Sequence, residues 1–253
     1  MPHYAVWFFV LSLASLASTS RAEPMVIFAD HDYHPVIYLD TEHQPAGLLA
    51  EVMAHVAKVN GTELDLRLYP WKRAQASAAQ GKGGIVGISM TPERLALYDY
   101  SAPIYDDTIN VVVRKGHEFA FTQLADLSGR KIGVQLGASY GPEVDAAIRS
   151  GLLQVEADQS QTARLGKLLH ERIDAAFIGN GQLGLLTALA SDEMLSSHRD
   201  KFVILQQPLN HDRLYLAFAK SMGMQAFLTE FNRILLQAQE QRLIPGLAPV
   251  SER

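Results

Sequence analysis

The sequence of 253 residues contains no cysteine. A bacterial lipoprotein anchor needs an N-terminal cysteine, and a disulfide framework or a thiolate metal site needs several. The sequence excludes all three. Stability must therefore come from packed apolar cores, for which the 48% of hydrophobic residues supply the material.

Charged residues are also few. Asp, Glu, Lys and Arg make up 19% of the chain, the formal net charge is -5, and no long run of one sign occurs. Low-complexity tracts are absent as well. This composition argues against a disordered chain and offers no basic surface for nucleic acid. Beyond the N-terminal segment, no apolar stretch is long enough to cross a membrane.

The N-terminal segment has the pattern of an export signal. Residues 5–17 (AVWFFVLSLASLA) form an apolar run that is too short to span a bilayer as a helix. Ser20 and Ala22 are small residues at the positions that precede a cleavage site. We therefore predict a signal peptide over residues 1–22 and a soluble periplasmic protein. A retained membrane anchor is the alternative, because only the amino terminus and His3 supply positive charge before the apolar run.

Strand and helix patterns alternate along the rest of the chain. Apolar runs typical of strands occur at residues 25–29, 64–68, 85–88, 131–136, 153–155, 175–178 and 214–218. Helical patterns lie between them at residues 48–60, 70–80, 142–149 and 162–170, and an amphipathic helix closes the chain. This order predicts an α/β protein with parallel sheets covered by helices.

The alternation restarts after residues 111–113, which predicts two lobes of similar size. We assign residues 23–112 and 208–253 to the first lobe and residues 113–207 to the second. Two extended segments, near residues 110–114 and 206–213, would then cross between the lobes and act as a hinge. A single continuous doubly wound sheet is the alternative that periodicity leaves open.

Three stretches carry a resemblance to a known family. Residues 87–94 (GISMTPER) and 98–105 (YDYSAPIY) form its best-matched part, and residues 127–139 (LSGRKIGVQLGAS) are similar to its entry into the second lobe. The chain resembles family 3 of the extracellular solute-binding proteins, the type that serves amino-acid ABC transporters. The resemblance covers roughly residues 25–245.

The resemblance implies a two-lobed, type II periplasmic-binding-protein-like fold that closes on its ligand. The expected ligand is a small carboxylate-bearing molecule, an amino acid or a related compound, which is delivered to an ABC permease or a membrane sensor. We expect a monomeric binding protein and not an enzyme. We expect no cofactor, no metal and no nucleic-acid partner.

The resemblance also assigns ligand contacts. Arg94 is expected to pair with the ligand carboxylate, because a guanidinium group matches a carboxylate with two hydrogen bonds and stays charged when partly desolvated. Ser89 and Gly87 precede it at the end of a strand and are expected to bind the same ligand. Ser139 lies on a strand-to-helix turn in the second lobe, where exposed N–H groups favour an anion. Alternatively, Ser139 only caps the helix.

Further contacts are expected near the first strand and the second helix. Asp30 and Tyr33 follow the first strand, where the family places an acidic residue and an aromatic wall, and Trp71 begins the second helix. One position departs from the family pattern. The aspartate that binds the α-ammonium group in many members falls on Gly179. Either Asn180 or Asp30 replaces it, or the ligand lacks a conventional α-amino group.

Residues 137–141 (GASYG) match the G-x-S-x-G pattern of serine hydrolases between a strand and a helix. Asp174 or Asp192, followed by His198 or His211, would complete a serine esterase in the right chain order. No HGGG-like oxyanion segment accompanies the pattern, and the family resemblance explains the same turn without catalysis.

A dehydratase and a metal site are also conceivable. A periplasmic enzyme of the cyclohexadienyl-dehydratase type shares the fold and needs a general acid in the cleft, but the place to look for that acid is again Gly179. His31, Asp32 and His34 are possible metal ligands. They lie in a turn-prone loop with no thiolate available, so we interpret them as a histidine cluster without a metal.

Overall fold

The computed structural model describes residues 23–250, so the predicted signal peptide over residues 1–22 lies outside the described residues. The first part of the chain contains β1 (Met25–Asp30), β2 (Asp32–Tyr33), β3 (Ile37–Leu39), β4 (Pro45–Ala46), α1 (Leu48–Asn60), β5 (Leu64–Tyr69), α2 (Trp71–Ala79), β6 (Gly84–Ser89), α3 (Pro92–Leu95) and β7 (Tyr98–Tyr100). The second part contains β8 (Tyr105–Arg114), β9 (Lys131–Gln135), α4 (Pro142–Arg149), β10 (Gln154–Asp158), α5 (Gln161–Leu169), β11 (Ala175–Ile178), α6 (Gly181–Ala190), α7 (Glu193–Ser197), β12 (Phe202–Ala219) and α8 (Gln225–Glu240). Within residues 23–250, no helix is both long enough and apolar enough to cross a membrane.

Local sequence explains where several of these helices begin and end. Gly61 follows α1 in a left-handed conformation, with φ of 65°. Glycine adopts this conformation without strain, and the conformation ends the helix. Ser160 precedes α5, and its hydroxyl accepts a hydrogen bond from the N–H group of Ala163. Thr91 caps the short helix α3 in the same way by accepting from the N–H group of Arg94.

One large sheet runs through the molecule in the strand order β10-β9-β11-β8-β12-β6-β1-β5, and β7 also pairs with β12. At one end β1 pairs in parallel with β5 and β6, and at the other end β9 pairs in parallel with β10 and β11. The two long central strands, β8 and β12, are antiparallel to each other and to their outer neighbours. Each parallel group is built from the strand–helix alternation that the sequence predicts.

The apolar cores divide this sheet into two lobes. The first and last parts of the chain share one set of cores, which includes Ile27 and Phe231 at 0% exposure. The middle of the chain has separate cores, which include Val113 and Phe177. The backbone hydrogen bonds of the sheet thus continue from one lobe to the other through β8 and β12, whereas each lobe has its own apolar cores. The chain has the predicted two-lobed α/β fold.

The central strands carry the chain from one lobe to the other. On β8, Tyr105 packs against the first core and Ile109 packs in the second. On β12, Leu209 packs against the second core and Leu214 lies in the first. The predicted lobe boundaries, with residues 23–112 and 208–253 in one lobe, remain a prediction. We propose that the crossings lie at residues 106–108 and 210–213.

Candidate functional site between the lobes

A cavity of about 50 Å³ lies where the two lobes meet. Six of the eight predicted ligand-contacting residues line it, namely Asp30, Tyr33, Trp71, Gly87, Ser89 and Ser139. Arg94 and Asn180 are not part of its lining. The wall also contains acidic and amide side chains that the sequence did not single out.

Two of these acidic side chains come from the crossing segments. Asp107 on β8 and Asp212 on β12 are directly opposite partners in the antiparallel pairing of the two strands. Both line the cavity. Side chains at such positions have Cβ atoms about 4.5–5.5 Å apart. The site therefore contains a facing pair of carboxylates at the point where the chain passes between the lobes.

Asp107 is 1% exposed and its carboxylate is held by neutral donors. The hydroxyl group of Tyr33 donates to Oδ2, and the N–H group of Asn180 donates to Oδ1 at 2.6 Å. Burial raises the pKa of Asp107 to about 6, although these hydrogen bonds act in the opposite direction. Burial, together with the charge of Asp107, also raises the pKa of Tyr33 well above its ordinary value.

Asp212 accepts a hydrogen bond of 2.5 Å from the hydroxyl group of Ser89. Burial raises the pKa of this carboxyl to about 7, and the negative charge of Asp107 adds to the increase. The hydrogen bond from Ser89 and the more distant charge of Arg94 lower it only in part. Near neutral pH, the facing pair is thus close to the point at which it takes up or releases a proton.

Arg94 lies beside this cavity and connects the lobes. Its Nη1 donates to the carbonyl oxygen of Ser89 at 3.1 Å, and its Nη2 donates to the carbonyl oxygen of Gly137 at 3.1 Å. Burial lowers the pKa of Arg94 from its ordinary value. The guanidinium group therefore contacts main-chain oxygens of both lobes in this structure, and its role as a carboxylate anchor stays a prediction.

Ser139 is also engaged by the protein itself. Its hydroxyl donates to Oδ2 of Asp145 at 2.6 Å, and the N–H group of Tyr140 donates to Oδ1 of the same carboxylate at 2.9 Å. The residue that precedes α4 as its cap is Gly141, so Ser139 is not the helix cap considered from the sequence. Asp145 thus occupies the donors of the turn at which we expected a ligand anion.

Side chains from the first lobe reach across to the second at several points. The carboxylate of Asp30, which is 4% exposed, accepts from the side-chain amide of Gln135. The indole N–H group of Trp71 donates to the carbonyl oxygen of Gly137 at 3.3 Å. Both residues therefore lie where the sequence predicted ligand contacts, and both also connect the two lobes.

Gly179 has no room for a side chain in this arrangement. A Cβ atom there would lie 2.7 Å from Oδ2 of Asp107 and would also overlap the hydroxyl group of Tyr33. Asn180 adopts a left-handed conformation, with φ of 67°, and its side-chain oxygen accepts from the hydroxyl group of Tyr105. The space that an acidic side chain at position 179 would enter is therefore filled by the hydroxyl group of Tyr33 and the carboxylate of Asp107.

The loop that follows β1 makes a further contact between the lobes. Oδ2 of Asp32 accepts from the hydroxyl group of Thr162 at 3.0 Å and from its N–H group at 3.3 Å, at the start of α5. Nε2 of His34 lies 3.2 Å from Oδ1 of Asp32. Burial alone would raise the pKa of Asp32, but the hydrogen bonds from His34 and Thr162 outweigh it and lower the pKa. His31 contacts Asp30 instead, so the histidines serve two different carboxylates.

The start of α5 adds two buried polar side chains to the cavity wall. Arg164 is 2% exposed and is paired with Asp158 at 2.9 Å, and it also donates to the carbonyl oxygen of Phe177 at 2.8 Å. Gln161 is 1% exposed, and neither its side-chain nitrogen nor its oxygen has a hydrogen-bond partner. Neither residue belongs to a motif recognised in the sequence.

The hydrolase arrangement is not assembled among the described residues. The hydroxyl group of Ser139 contacts Asp145 and not a histidine. The ring of His198 contacts the carbonyl oxygen of Met194 and the neighbouring serine hydroxyl, and that of His211 contacts Thr108. The G-x-S-x-G pattern is therefore a lobe-connecting turn in this structure.

Residues 25–244 match the model of the bacterial extracellular solute-binding proteins, family 3. The chain belongs to this family. It is 22% identical over 226 residues to the L-cystine-binding protein TcyJ of Escherichia coli (strain K12), covering 88% of this chain and 80% of that protein. It is therefore an extracellular solute-binding protein of family 3.

Two solved structures have the same fold. A histidine kinase sensor domain with similarity to periplasmic binding proteins superposes with a TM-score of 0.77 at 19% identity, over 91% of this chain and 99% of that chain. The substrate-binding protein of an amino-acid ABC transporter superposes with a TM-score of 0.70 at 21% identity, over 86% and 94% of the two chains. Both confirm the fold expected from the sequence.

Proposed function

We propose that this protein is a periplasmic receptor that captures a small amino-acid-like solute between its lobes, and that it is not an enzyme. The observation that carries this proposal is the cavity at the junction of the lobes. Its wall combines polar side chains of both, Asp30 and Ser89 from the first lobe and Gln135 and Ser139 from the second. Convergent polar groups in a cleft between domains are typical of a ligand site.

Closure of the lobes follows from the contacts around this cavity. The hydrogen bonds from Trp71 to Gly137 and from Thr162 to Asp32 exist only when the lobes are together. Within residues 23–250, the crossing segments of β8 and β12 are the covalent connections between the proposed lobes. A ligand that binds the closed form better than the open form therefore shifts the population towards closure.

The size of the cavity requires the cleft to open for a ligand. A water molecule needs about 10–15 Å³ by the same measure, so the 50 Å³ of the cavity corresponds to roughly four non-hydrogen atoms. An amino acid is larger. We propose that it enters the opened cleft and displaces side chains that now cross the cavity, Tyr33 and Gln135 among them.

We keep Arg94 as the proposed carboxylate anchor. Its two contacts with carbonyl oxygens are weaker partners for a guanidinium group than a ligand carboxylate, which accepts two charge-assisted hydrogen bonds. A ligand carboxylate that replaced Gly137 as the partner of Nη2 would retain the connection between the lobes. The proposed partner of the liganded protein is an ABC permease or a membrane sensor.

A thermal-shift screen of residues 23–253 against amino acids, polyamines and small carboxylates tests the proposal. A ligand at 100 times its dissociation constant adds about 2.7 kcal/mol, which raises the melting temperature of a domain of this size by roughly 5–10 °C. We expect Arg94→Ala to abolish the shift and Arg67→Ala, at an exposed arginine paired with Asp65, to preserve it. A rise in melting temperature that persists in Arg94→Ala would show that Arg94 is not the carboxylate anchor. If no compound raised the melting temperature, the proposed receptor function would be refuted.

The facing carboxyls favour one second candidate. Asp107 and Asp212 have pKa values of about 6 and about 7, so either can be protonated near neutral pH and could serve as the general acid of a dehydratase. Incubation with a carboxylated cyclohexadienol, followed by the ultraviolet absorbance of an aromatic product, tests this. Turnover that is lost in Asp212→Asn would replace the receptor proposal, whereas binding without turnover would support it.

A further inference from the structure

Resting on the proposed receptor function, we infer that the group recognised in this cleft is an organic cation. The geometry places its ammonium or guanidinium group between the carboxylates of Asp107 and Asp212. The acid that the sequence lacks at position 179 is thereby supplied from the crossing strand β8, with a second acid on β12.

The first support is the pairing of the two strands. Asp107 and Asp212 are opposite partners, and both side chains face the cavity. Two carboxylates at this separation repel each other, and like charges directly opposite in a sheet are destabilising. A cation between them turns this repulsion into two attractions. The facing arrangement of the two carboxylates is therefore energetically favourable only when a positive group, or a proton, lies between the strands.

The second support is that no cationic side chain of the described residues lies within ion-pair distance of either carboxylate, although the charge of Arg94 acts on Asp212 from farther away. Among residues 23–250, neither carboxylate forms an ion pair with a lysine, arginine or histidine. Their hydrogen-bond donors are the neutral groups of Tyr33, Asn180 and Ser89. The buried Asp158 differs, because it is paired with Arg164. Buried carboxylates are ordinarily paired, so the cleft has an unmatched demand for positive charge.

The third support is the geometry at Gly179. A Cβ atom at this position would overlap the hydroxyl group of Tyr33 and would lie 2.7 Å from Oδ2 of Asp107, the atom to which that hydroxyl group donates. A side chain from the end of β11 would therefore compete for space with the hydrogen-bonded pair of Tyr33 and Asp107. Glycine at position 179 leaves that space to Asp107, which keeps a carboxylate in the cleft although the chain position that supplies it has changed.

An independent observation points to a polar ligand in the same cavity. Gln161 lines it and is 1% exposed, yet neither its amide nitrogen nor its oxygen has a hydrogen-bond partner. Buried polar side chains nearly always have partners, and an unsatisfied amide is costly. Its free donor and acceptor can bind the polar part of a ligand whose cationic group is held by Asp107 and Asp212.

The cation can come from two sources, the α-ammonium group of an amino acid or the charged end of a longer amine. Four probes separate them: L-arginine, L-citrulline, agmatine and glutarate. L-citrulline resembles L-arginine without the side-chain charge, agmatine is L-arginine without the carboxylate, and glutarate has no amine. Binding of both amino acids but not of agmatine assigns the α-ammonium group. Binding of agmatine assigns the side-chain or polyamine cation.

Titration calorimetry with Asp107→Asn and Asp212→Asn tests the residues. Both substitutions keep the size of the side chain and one acceptor oxygen while removing the charge, and we expect each to weaken binding of the cationic probe by about 30-fold or more. Asp200→Asn, at an exposed aspartate, serves as the matched control and should not alter binding. Circular dichroism and melting temperature establish that each variant folds.

The outcomes separate this inference from the proposed function. Binding of glutarate, or amino-acid binding that is unchanged in both cleft variants and lost in Arg94→Ala, would overturn the cation site and leave the receptor intact. No binding of any probe would overturn both the cation site and the receptor function.

Binding of a cation should also change the protonation of the two carboxyls. Because a cation favours the ionised carboxylates, whose pKa values are raised to about 6 and about 7, binding near pH 6.5 should release up to about one proton. Calorimetry in two buffers of different ionisation enthalpy measures this release, and proton uptake would contradict the inference.

Discussion

Replacing Asp212 by asparagine should stabilise the ligand-free protein at alkaline pH while weakening its binding of a cation. Asp212 faces Asp107 across β8 and β12, and its carboxyl has a pKa of about 7 in the folded protein against an ordinary 3.8. The folded chain therefore binds more protons than the unfolded chain between these values. The stability contributed by the protonated carboxyl is present below about pH 4 and is lost as the pH rises through about 7.

Two estimates give the size of this effect. A pKa that is raised by about three units corresponds to about 4 kcal/mol at 1.36 kcal/mol per unit, which is an upper bound because the protein relaxes. Two charges about 5 Å apart at an effective dielectric constant of about 20 repel by about 3 kcal/mol. An amide at position 212 removes the charge and can still accept from Ser89. We therefore expect Asp212→Asn to gain about 1–3 kcal/mol at about pH 8 and almost nothing at about pH 4.5.

Melting curves from about pH 4.5 to about pH 8 test this expectation, after refolding from guanidinium to remove any co-purified ligand. A gain of about 2 kcal/mol should raise the melting temperature of a domain of this size by roughly 4–8 °C. The difference between variant and parent should increase steadily with pH. Asp200→Asn, at an exposed aspartate, should give a flat difference near zero. A variant that melts at or below the parent temperature at about pH 8 would refute the reasoning.

The remaining predictions concern the cleft and the core. Trp71→Phe loses the indole donor, and we expect the ligand dissociation constant to rise about 2- to 10-fold; an unchanged constant would assign Trp71 to packing alone. Asp32→Asn removes the charge at the start of α5, so small-angle scattering of the free protein should show a larger radius of gyration; an unchanged radius would exclude this contact from closure. Phe177→Ala, at a fully buried ring, should lower the free energy of unfolding in urea by about 3–5 kcal/mol; a loss below about 1 kcal/mol would contradict the packing.

Much of the fold followed from local pattern. The helix predicted at residues 70–80 is α2 (Trp71–Ala79), and the helix predicted at residues 162–170 is α5 (Gln161–Leu169). The strand predicted at residues 131–136 is β9 (Lys131–Gln135). Periodicity and helix-terminating residues act over a few neighbours, so the sequence contains these signals directly.

The long central strands were recognised only in part. Residues 111–113 and 214–218 have the pattern of short strands, whereas β8 extends from Tyr105 to Arg114 and β12 from Phe202 to Ala219. Their crossing parts carry Asp106, Asp107, Asp212 and Arg213, and such polar stretches lack the apolar alternation that predicts a strand. These parts are strands because they pair with each other between two lobes, which is a tertiary condition.

The residues of the candidate site were also predicted only in part. Motif resemblance predicted Tyr33, Trp71 and Ser89, and all three line the cavity. It gave no indication of Asp107 or Asp212. Asp212 lies within the predicted crossing at residues 206–213, but Asp107 lies three residues before the crossing predicted at residues 110–114. Neither position indicates a site until β8 and β12 are paired.

The sequence by itself indicated the family and many of the helices and strands, because these depend on short-range patterns and on motifs within one stretch of chain, and the two-lobed architecture followed from the family resemblance. Only the tertiary structure decided which charges meet in the cleft. The pairing of β8 with β12 sets Asp107 opposite Asp212, and the absence of a side chain at Gly179 leaves room for Asp107 there. Strand register between distant segments fixes such encounters, and a shift of either strand by one residue would turn its carboxylate to the other face of the sheet, away from its partner.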